Sequence, residues 1–319
     1  MKNDSFPPDE EATLQWRPLT EASLPILHQL VQEVEGASFV PYPTSDREIA
    51  FWVQETPRWV GIYGEDQAGQ VQAAALVAIS GVDQSLCETR SFLQPRLQSK
   101  QMWETMMRWQ LREAKELLKE SGKPKPGLIR TSVHPYQAGL EGVLRSKGFS
   151  WVSSTVEMRR LLLDVPEVPN LGPYLGVEPW AEEYEDSARR LFNRLMSGDG
   201  TVSRQQWLAH RELFQPEWSF VAVSRQGDRP ELAGFLMASA ATETGTQEGF
   251  IDLLAVSEAA ASMDTFQALA LASMGRQAAA GVTHTGATVD EPGDPLTTRL
   301  YEGLGFTRFY EVKSYSAPC

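Results

Sequence analysis

Cysteine is nearly missing: two residues in 319, Cys87 and Cys319. Two thiols supply neither a disulfide framework nor a zinc spacing, so no metal is expected, and such sparing use suits a reducing, cytoplasmic setting. Nowhere does an apolar run reach the length that crosses a bilayer. Only four histidines occur, and no Ser-His-Asp or Cys-His arrangement is visible around them. His134 and His284 each lack an evident partner and read as structural. Positive charge is also short, with 29 Lys and Arg against 42 Asp and Glu and a net charge of −13. An acidic surface offers nothing to nucleic acid or to an anionic membrane, which excludes both as partners while leaving room for a local basic pocket. The first residues, Met1 to Glu11, have acids and prolines but no apolar core, so they do not read as a signal peptide, and 1–12 is expected to be disordered.

What is present is a globular composition, 42% hydrophobic and 22% charged, in a chain long enough for two domains. Thr13 to Pro18 reads as a strand. A helix opens at Thr20-Glu21 and runs to about Glu35, with Leu24, Leu27, Leu30 and Val31 on one face. Arg47 to Gln54 is a second helix after a proline-bearing loop; Phe39, Tyr42, Phe51 and Trp52 make this edge aromatic. Trp59 to Tyr63 and Gln70 to Ser80 form a hairpin. Cys87 to Leu93 is a strand, Ser99 to Lys119 a helix, and Leu128 to Val133 a strand ending at His134-Pro135-Tyr136. Val143 to Gly148 closes a helix that runs into a strand from Ser150 to Leu163. Three prolines within Asp164 to Pro173 then break the chain, making 164–175 a linker between 13–163 and 176–319.

The series then repeats. Val177 to Pro179 matches Trp16 to Pro18; Glu182 to Met196 and Thr201 to Phe214 are helices. Trp218 to Ser224 with Glu231 to Ala241 is the hairpin. Gly249 to Val256, Ala261 to Ala280 and Gly286 to Val289 follow as strand, helix and strand. The end, Arg299-Leu300-Tyr301-Glu302-Gly303-Leu304-Gly305-Phe306, is a helix stopped by glycine with Gly305 as a left-handed cap, then a strand from Thr307 to Ser316. Phe306 and Phe149 hold the same place about half a chain apart, so the sequence is two copies of one unit.

The glycine-stopped "LYEGLGF" helix, with Ile251 to Glu258 upstream as a fourth strand, resembles the C-terminal part of GNAT-superfamily N-acyltransferases. The likeness covers nearly the whole chain as a tandem pair of the kind seen in mycothiol synthases. It implies an α/β (α+β) fold of two GNAT-like domains, each with a mixed, mainly antiparallel twisted sheet flanked by helices. It also implies acetyl-CoA or another acyl-CoA as co-substrate, a small amine as acceptor, and direct attack of the amine on the thioester. A monomer or homodimer is expected.

Carried over position by position, the resemblance makes Tyr301 the acid that protonates the leaving thiolate and Asp252 the base, with Glu248 as a second choice. Thiol and phenol pKa values near about 8.5 and 10 make the proton transfer workable. In the first copy Leu144 stands for Tyr301, and Thr89, beside Glu88, for Asp252. Leu254, Val256, Ser262 and Asp294 are assigned to the cofactor; Gln137 is the first copy's counterpart of Asp294. The family's phosphate loop corresponds to Ala261-Ser262-Met263-Asp264-Thr265-Phe266, which has neither glycine nor cation, so Ser262 or Asp264 reads equally as a helix cap. In the first copy it corresponds to Gln98-Ser99-Lys100-Gln101-Met102-Trp103, where Gln98, Ser99 and Lys100 tolerate phosphate better and Met102 and Trp103 are bulky. The two copies thus bear different halves of a site. Against the enzyme stands an alternative from another class: an inactive tandem fold that binds a ligand or a protein.

Overall fold

The computed structural model describes residues 14–38, 40, 43–54, 58–80, 84–121, 127–195, 202–209, 213–240, 248–293 and 295–319. The expectations for 1–12, Phe39, Tyr42 and Asp294 lie outside these. In chain order the elements are β1 (Gln15–Pro18), α1 (Leu24–Ala37), α2 (Asp46–Gln54), β2 (Trp59–Glu65), β3 (Val71–Ser80), β4 (Leu86–Leu93), α3 (Lys100–Glu120), β5 (Leu128–Val133), α4 (Leu140–Ser146) and β6 (Ser150–Leu161). The second series is β7 (Leu175–Pro179), α5 (Glu185–Leu195), α6 (Arg204–Ala209), β8 (Phe220–Ser224), β9 (Glu231–Ala240), β10 (Glu248–Val256), α7 (Met263–Ala279), β11 (His284–Glu291), α8 (Pro295–Gly303) and β12 (Thr307–Pro318). Phe214, expected at the end of a helix, instead makes an isolated bridge to Ser239.

Two compact units result. One holds residues up to Thr155 together with Glu311–Cys319, the other Val156–Tyr310. The division falls inside β6 and β12, not in the proline-rich linker. In unit 1 the strand order is β1-β2-β3-β4-β5-β12; in unit 2 it is β6-β11-β10-β9-β8-β7. Each sheet is therefore completed by the last strand of the other half of the sequence. The buried side chains account for this. Phe149 lies in the core of unit 1, but Val156, Met158 and Leu162 lie in that of unit 2. Conversely Phe306 packs in unit 2, and Tyr315 and Ala317 in unit 1. Full burial of a large apolar side chain contributes about 1.5–3 kcal/mol, so several such residues per strand fix which sheet it joins.

Within each unit helices cover both faces of the sheet. In unit 1, α3 and α4 pack on one face through Trp103, Met106, Met107, Val143 and Leu144, and α1 and α2 on the other through Leu27, Leu30, Val31, Ile49 and Val53. In unit 2, α7 and α8 pack on one face through Leu269, Met274, Leu300 and Leu304; α5 and α6 take the other with Ala188, Leu191 and Trp207. Gly148 and Gly305 have φ of 85° and 81°, the left-handed region in which glycine alone is unstrained. Past each, the next N–H bonds back into its helix: Phe149 N to Leu144 O, 3.1 Å, and Phe306 N to Tyr301 O, 2.9 Å. No helix among the described residues is long and apolar enough to cross a membrane.

Candidate active site

In each unit one pair of neighbouring strands is parallel amid antiparallel neighbours, and there the strands separate. β4 and β5 pair in parallel only from Leu86↔Leu128 to Thr89↔Thr131. β10 and β11 pair only from Glu248↔His284 to Ile251↔Ala287. Beyond those points both strands of each pair run on without bonding one another. A wedge of unpaired strand edge is left, whose backbone groups need partners. The two units meet that need in different ways.

In unit 1 the wedge is stapled by the protein's own amides. Gln137, in the turn after β5, donates through Nε2 to Ser91 O (2.8 Å) and accepts at Oε1 from His134 N (2.8 Å). Gln110 of α3 donates to Arg90 O (2.8 Å) and Leu76 O (3.2 Å) and accepts from Ser91 Oγ (3.1 Å). Gln98 accepts from Ala138 N (3.0 Å), and the Trp103 indole donates to Ala138 O (2.9 Å). Ser99 caps α3 by accepting from Met102 N. Gln98 and Ser99, expected to tolerate phosphate, thus spend their polar atoms on the fold. Lys100 is exposed, its Nζ 3.8 Å from Glu104 Oε1. His134 is held neutral, its pKa pushed down to about 4 by burial and then by Arg90.

In unit 2 the counterpart of Gln137, Asp294, lies outside the described residues. Here β10 carries a bulge, its register against β9 shifting between Ile251 and Leu253. Asp252 is the extra residue. This corrects the match of Asp252 to Thr89: Thr89 pairs with Thr131 where Ile251 pairs with Ala287, and β4 pairs with β3 without a break. A bulge re-aims a side chain, and Asp252 is turned to accept from Ser239 Oγ at 2.9 Å. Desolvation raises its pKa to about 6, against the lowering effect of that hydrogen bond. The residue is exposed and remains mostly ionised at neutral pH, ready to accept a proton.

Tyr301 of α8 is 4% exposed and packs edge-on to Phe306 with centroids 5.0 Å apart. Burial raises its pKa above the ordinary phenol value. It is therefore a protonated donor at neutral pH and not a base. No hydrogen bond reaches its hydroxyl among the described residues. Leu144 in unit 1 is equally buried but has nothing to donate. Leu254 and Val256 pack on the α7 side of β10, which leaves their backbone as what they can offer a ligand. Ser262 is a cap: its Oγ accepts from Thr265 N at 3.2 Å and lies 2.8 Å from Thr265 Oγ1. Asp264 is exposed in the first turn of α7. Glu248 is tied to the Arg159 guanidinium, which occupies the second-choice base. His284 is kept neutral, its pKa lowered by burial and then by Arg159.

The sequence reading missed Glu157. Burial lifts its pKa to about 7, and its Oε2 is sealed from solvent with no hydrogen-bond partner among the described residues. It sits between Val156 and Met158 on β6, where alternation alone reads it as a solvated face. Nor did the sequence show that β6 leaves the first half to join unit 2.

No family model matches the chain, and no curated protein matches it in sequence. Solved structures do match in fold. A GCN5-related N-acetyltransferase from Sphaerobacter thermophilus superposes with a TM-score of 0.70 at 16% identity, over 96% of this chain and 95% of that one. A tandem GNAT protein from the clavulanic acid biosynthesis pathway gives 0.65 at 14% identity, over 96% and 98%. The N-myristoyltransferase of Saccharomyces cerevisiae gives 0.52 at 13%, over 97% and 80%. At these identities the likeness is one of architecture: the chain has the tandem GNAT fold.

Proposed function

With the tandem GNAT fold as premise, we propose that unit 2 transfers an acyl group from an acyl-CoA, acetyl in the simplest case, to a small amine by direct attack on the thioester. What supports this reading is that Gln137 and Gln110 fill the wedge of unit 1, while unit 2 offers Asp252, turned out by a bulge beside its wedge, and Tyr301 of α8, a phenol that stays protonated. An acyl-CoA supplies the electrophilic carbonyl carbon and a thiolate leaving group. Asp252 takes the proton the amine must lose. Tyr301 gives its phenolic proton to the departing sulfur. The N–C bond forms as the C–S bond breaks, and exchange with water restores both residues. The backbone of Leu254 and Val256 and the free N–H groups opening α7 beside Ser262 are the contacts on offer to the cofactor. Gln98, Ser99 and Lys100 have no part in this reading.

Calorimetric titration of the whole chain with acetyl-CoA tests it. One equivalent bound at micromolar strength is expected. No heat, with no displacement at millimolar CoA, overturns it. That outcome leaves the second reading, a GNAT-fold binding module, which the absence of glycine and cation at the start of α7 favours.

A further inference from the structure

Glu157 lies on the same face of the unit 2 sheet as Asp252. On β6, Val156 and Met158 enter the core beneath α7 and α8, as Ala287 and Val289 of β11 and Ile251 of β10 also do. Their neighbours Glu157, Thr288 and Glu248 therefore face the other way. The ion pair between Arg159 and Glu248 reaches across β11 on that face and confirms the parity. Asp252 belongs to it too, since its partner Ser239 alternates with Phe235 and Met237 of the α5–α6 cluster. One backbone hydrogen bond gives the level along the strands, counted in antiparallel register. Leu162 N donates to Thr283 O, so the end of β6 meets the start of β11. Five residues back along β6 is Glu157; five residues forward along β11 is Thr288. Thr288 also follows Ala287, the partner of Ile251, so it opens the stretch of β11 that faces the bulge of Asp252 across the wedge. Two carboxylates thus stand on the strands to either side of the exposed Thr288.

We propose that Glu157 is the second carboxylate of the acceptor site, holding the far ammonium of a dicationic amine, such as a short alkyl diamine, whose near amine is deprotonated by Asp252. The substrate class rests on the acyl-transfer reading above. The other charged groups that β6, β10 and β11 place on this face, among the described residues, are Arg159, Glu248, His284, Asp252 and Asp290. Arg159 pairs through Nη2 with Glu248, its Nε without a hydrogen-bond partner among the described residues, and His284 is neutral; no ion pair joins any of them to Glu157 among the described residues. Because burial lifts its pKa to about 7, Glu157 is part-protonated at neutral pH, and a bound ammonium must drive that proton off.

The test is calorimetry on the whole chain without CoA at pH 7, comparing 1,4-diaminobutane with n-butylamine in buffers of different ionisation enthalpy. The diamine is expected to bind roughly tenfold tighter and to release protons. In Glu157→Gln the preference and the proton release both vanish, while Glu157→Asp keeps part of each. Equal binding of the two amines, no binding of either, or a preference that survives Glu157→Gln in a variant with an intact melting transition overturns the proposal. Diamine binding by a protein that takes no acetyl-CoA sinks the acyl-transfer reading and leaves this site standing.

Discussion

The two units share strand order, helix positions and even the glycine-stopped helix, yet the strands beside the same gap in the sheet are built differently. In unit 1, Gln137 and Gln110 bond to the backbone freed where β4 leaves β5. The gap becomes interior. In unit 2 one extra residue, Asp252, bends β10 beside the corresponding edge. A parallel pair that ends early creates unmet backbone valence in both places. Unit 1 answers it with side chains, and under the proposed function a ligand takes the gap of unit 2.

The largest expected effect tests the strand exchange on which both units depend. Ending the chain after Tyr310 removes Tyr315 and Ala317 from the core of unit 1; losing the Tyr315 side chain alone costs about 3–5 kcal/mol. Hydrogen exchange should show β4 and β5 losing protection while β9 and β10 keep theirs. Equal protection in both units would mean that β12 is not what completes unit 1.

Next come the two chemical groups. Tyr301→Phe preserves packing against Phe306 and is expected to lower kcat about 100-fold, roughly 2.7 kcal/mol of barrier, with acetyl-CoA affinity unchanged. Asp252→Asn should lower kcat/KM by a similar factor. In the parent protein the rate should rise with pH through about 6, where Asp252 ionises, and that limb should be missing in the variant. A rate that ignores both substitutions would place the chemistry elsewhere than unit 2.

A smaller effect is expected from opening the closed gap. Gln137→Ala strips Ser91 O and His134 N of a buried partner, which costs about 1–3 kcal/mol. Acyl transfer should be unaffected. If instead the variant gained a second equivalent of bound acetyl-CoA, the filling of unit 1 would be the sole difference between the two clefts.

The smallest is a matter of pH. Folding raises the carboxyl pKa of Asp252 to about 6 and of Glu157 to about 7, above the unfolded values near about 4. Each such group contributes stability that is complete below its unfolded pKa and is lost as pH rises through the folded one. Between pH 5 and 8 the melting temperature of the parent should fall more steeply than that of the Asp252→Asn, Glu157→Gln double variant. Parallel curves would show that neither carboxyl is desolvated by folding.

The sequence by itself determined the architecture. Apolar periodicity, glycine stops at Gly148 and Gly305 and the repeated order of strands and helices are local properties, and local dihedral and burial preferences carried them into the fold almost unchanged. It also made Tyr301 and Asp252 the candidates on which the proposed function rests, because both stand in a recognisable frame. Tertiary structure alone decided the rest. A one-residue bulge is invisible in a run such as Ile251-Asp252-Leu253-Leu254, so Asp252 was matched to Thr89 until β-pairing counted the residues. Gln137 and Gln110 are ordinary polar residues in sequence, and only the place where β4 and β5 part gives them carbonyls to bond. Which sheet a strand joins depends on non-local burial summed over residues far apart in the chain. For that reason Glu157, written in the first half, belongs to the second unit.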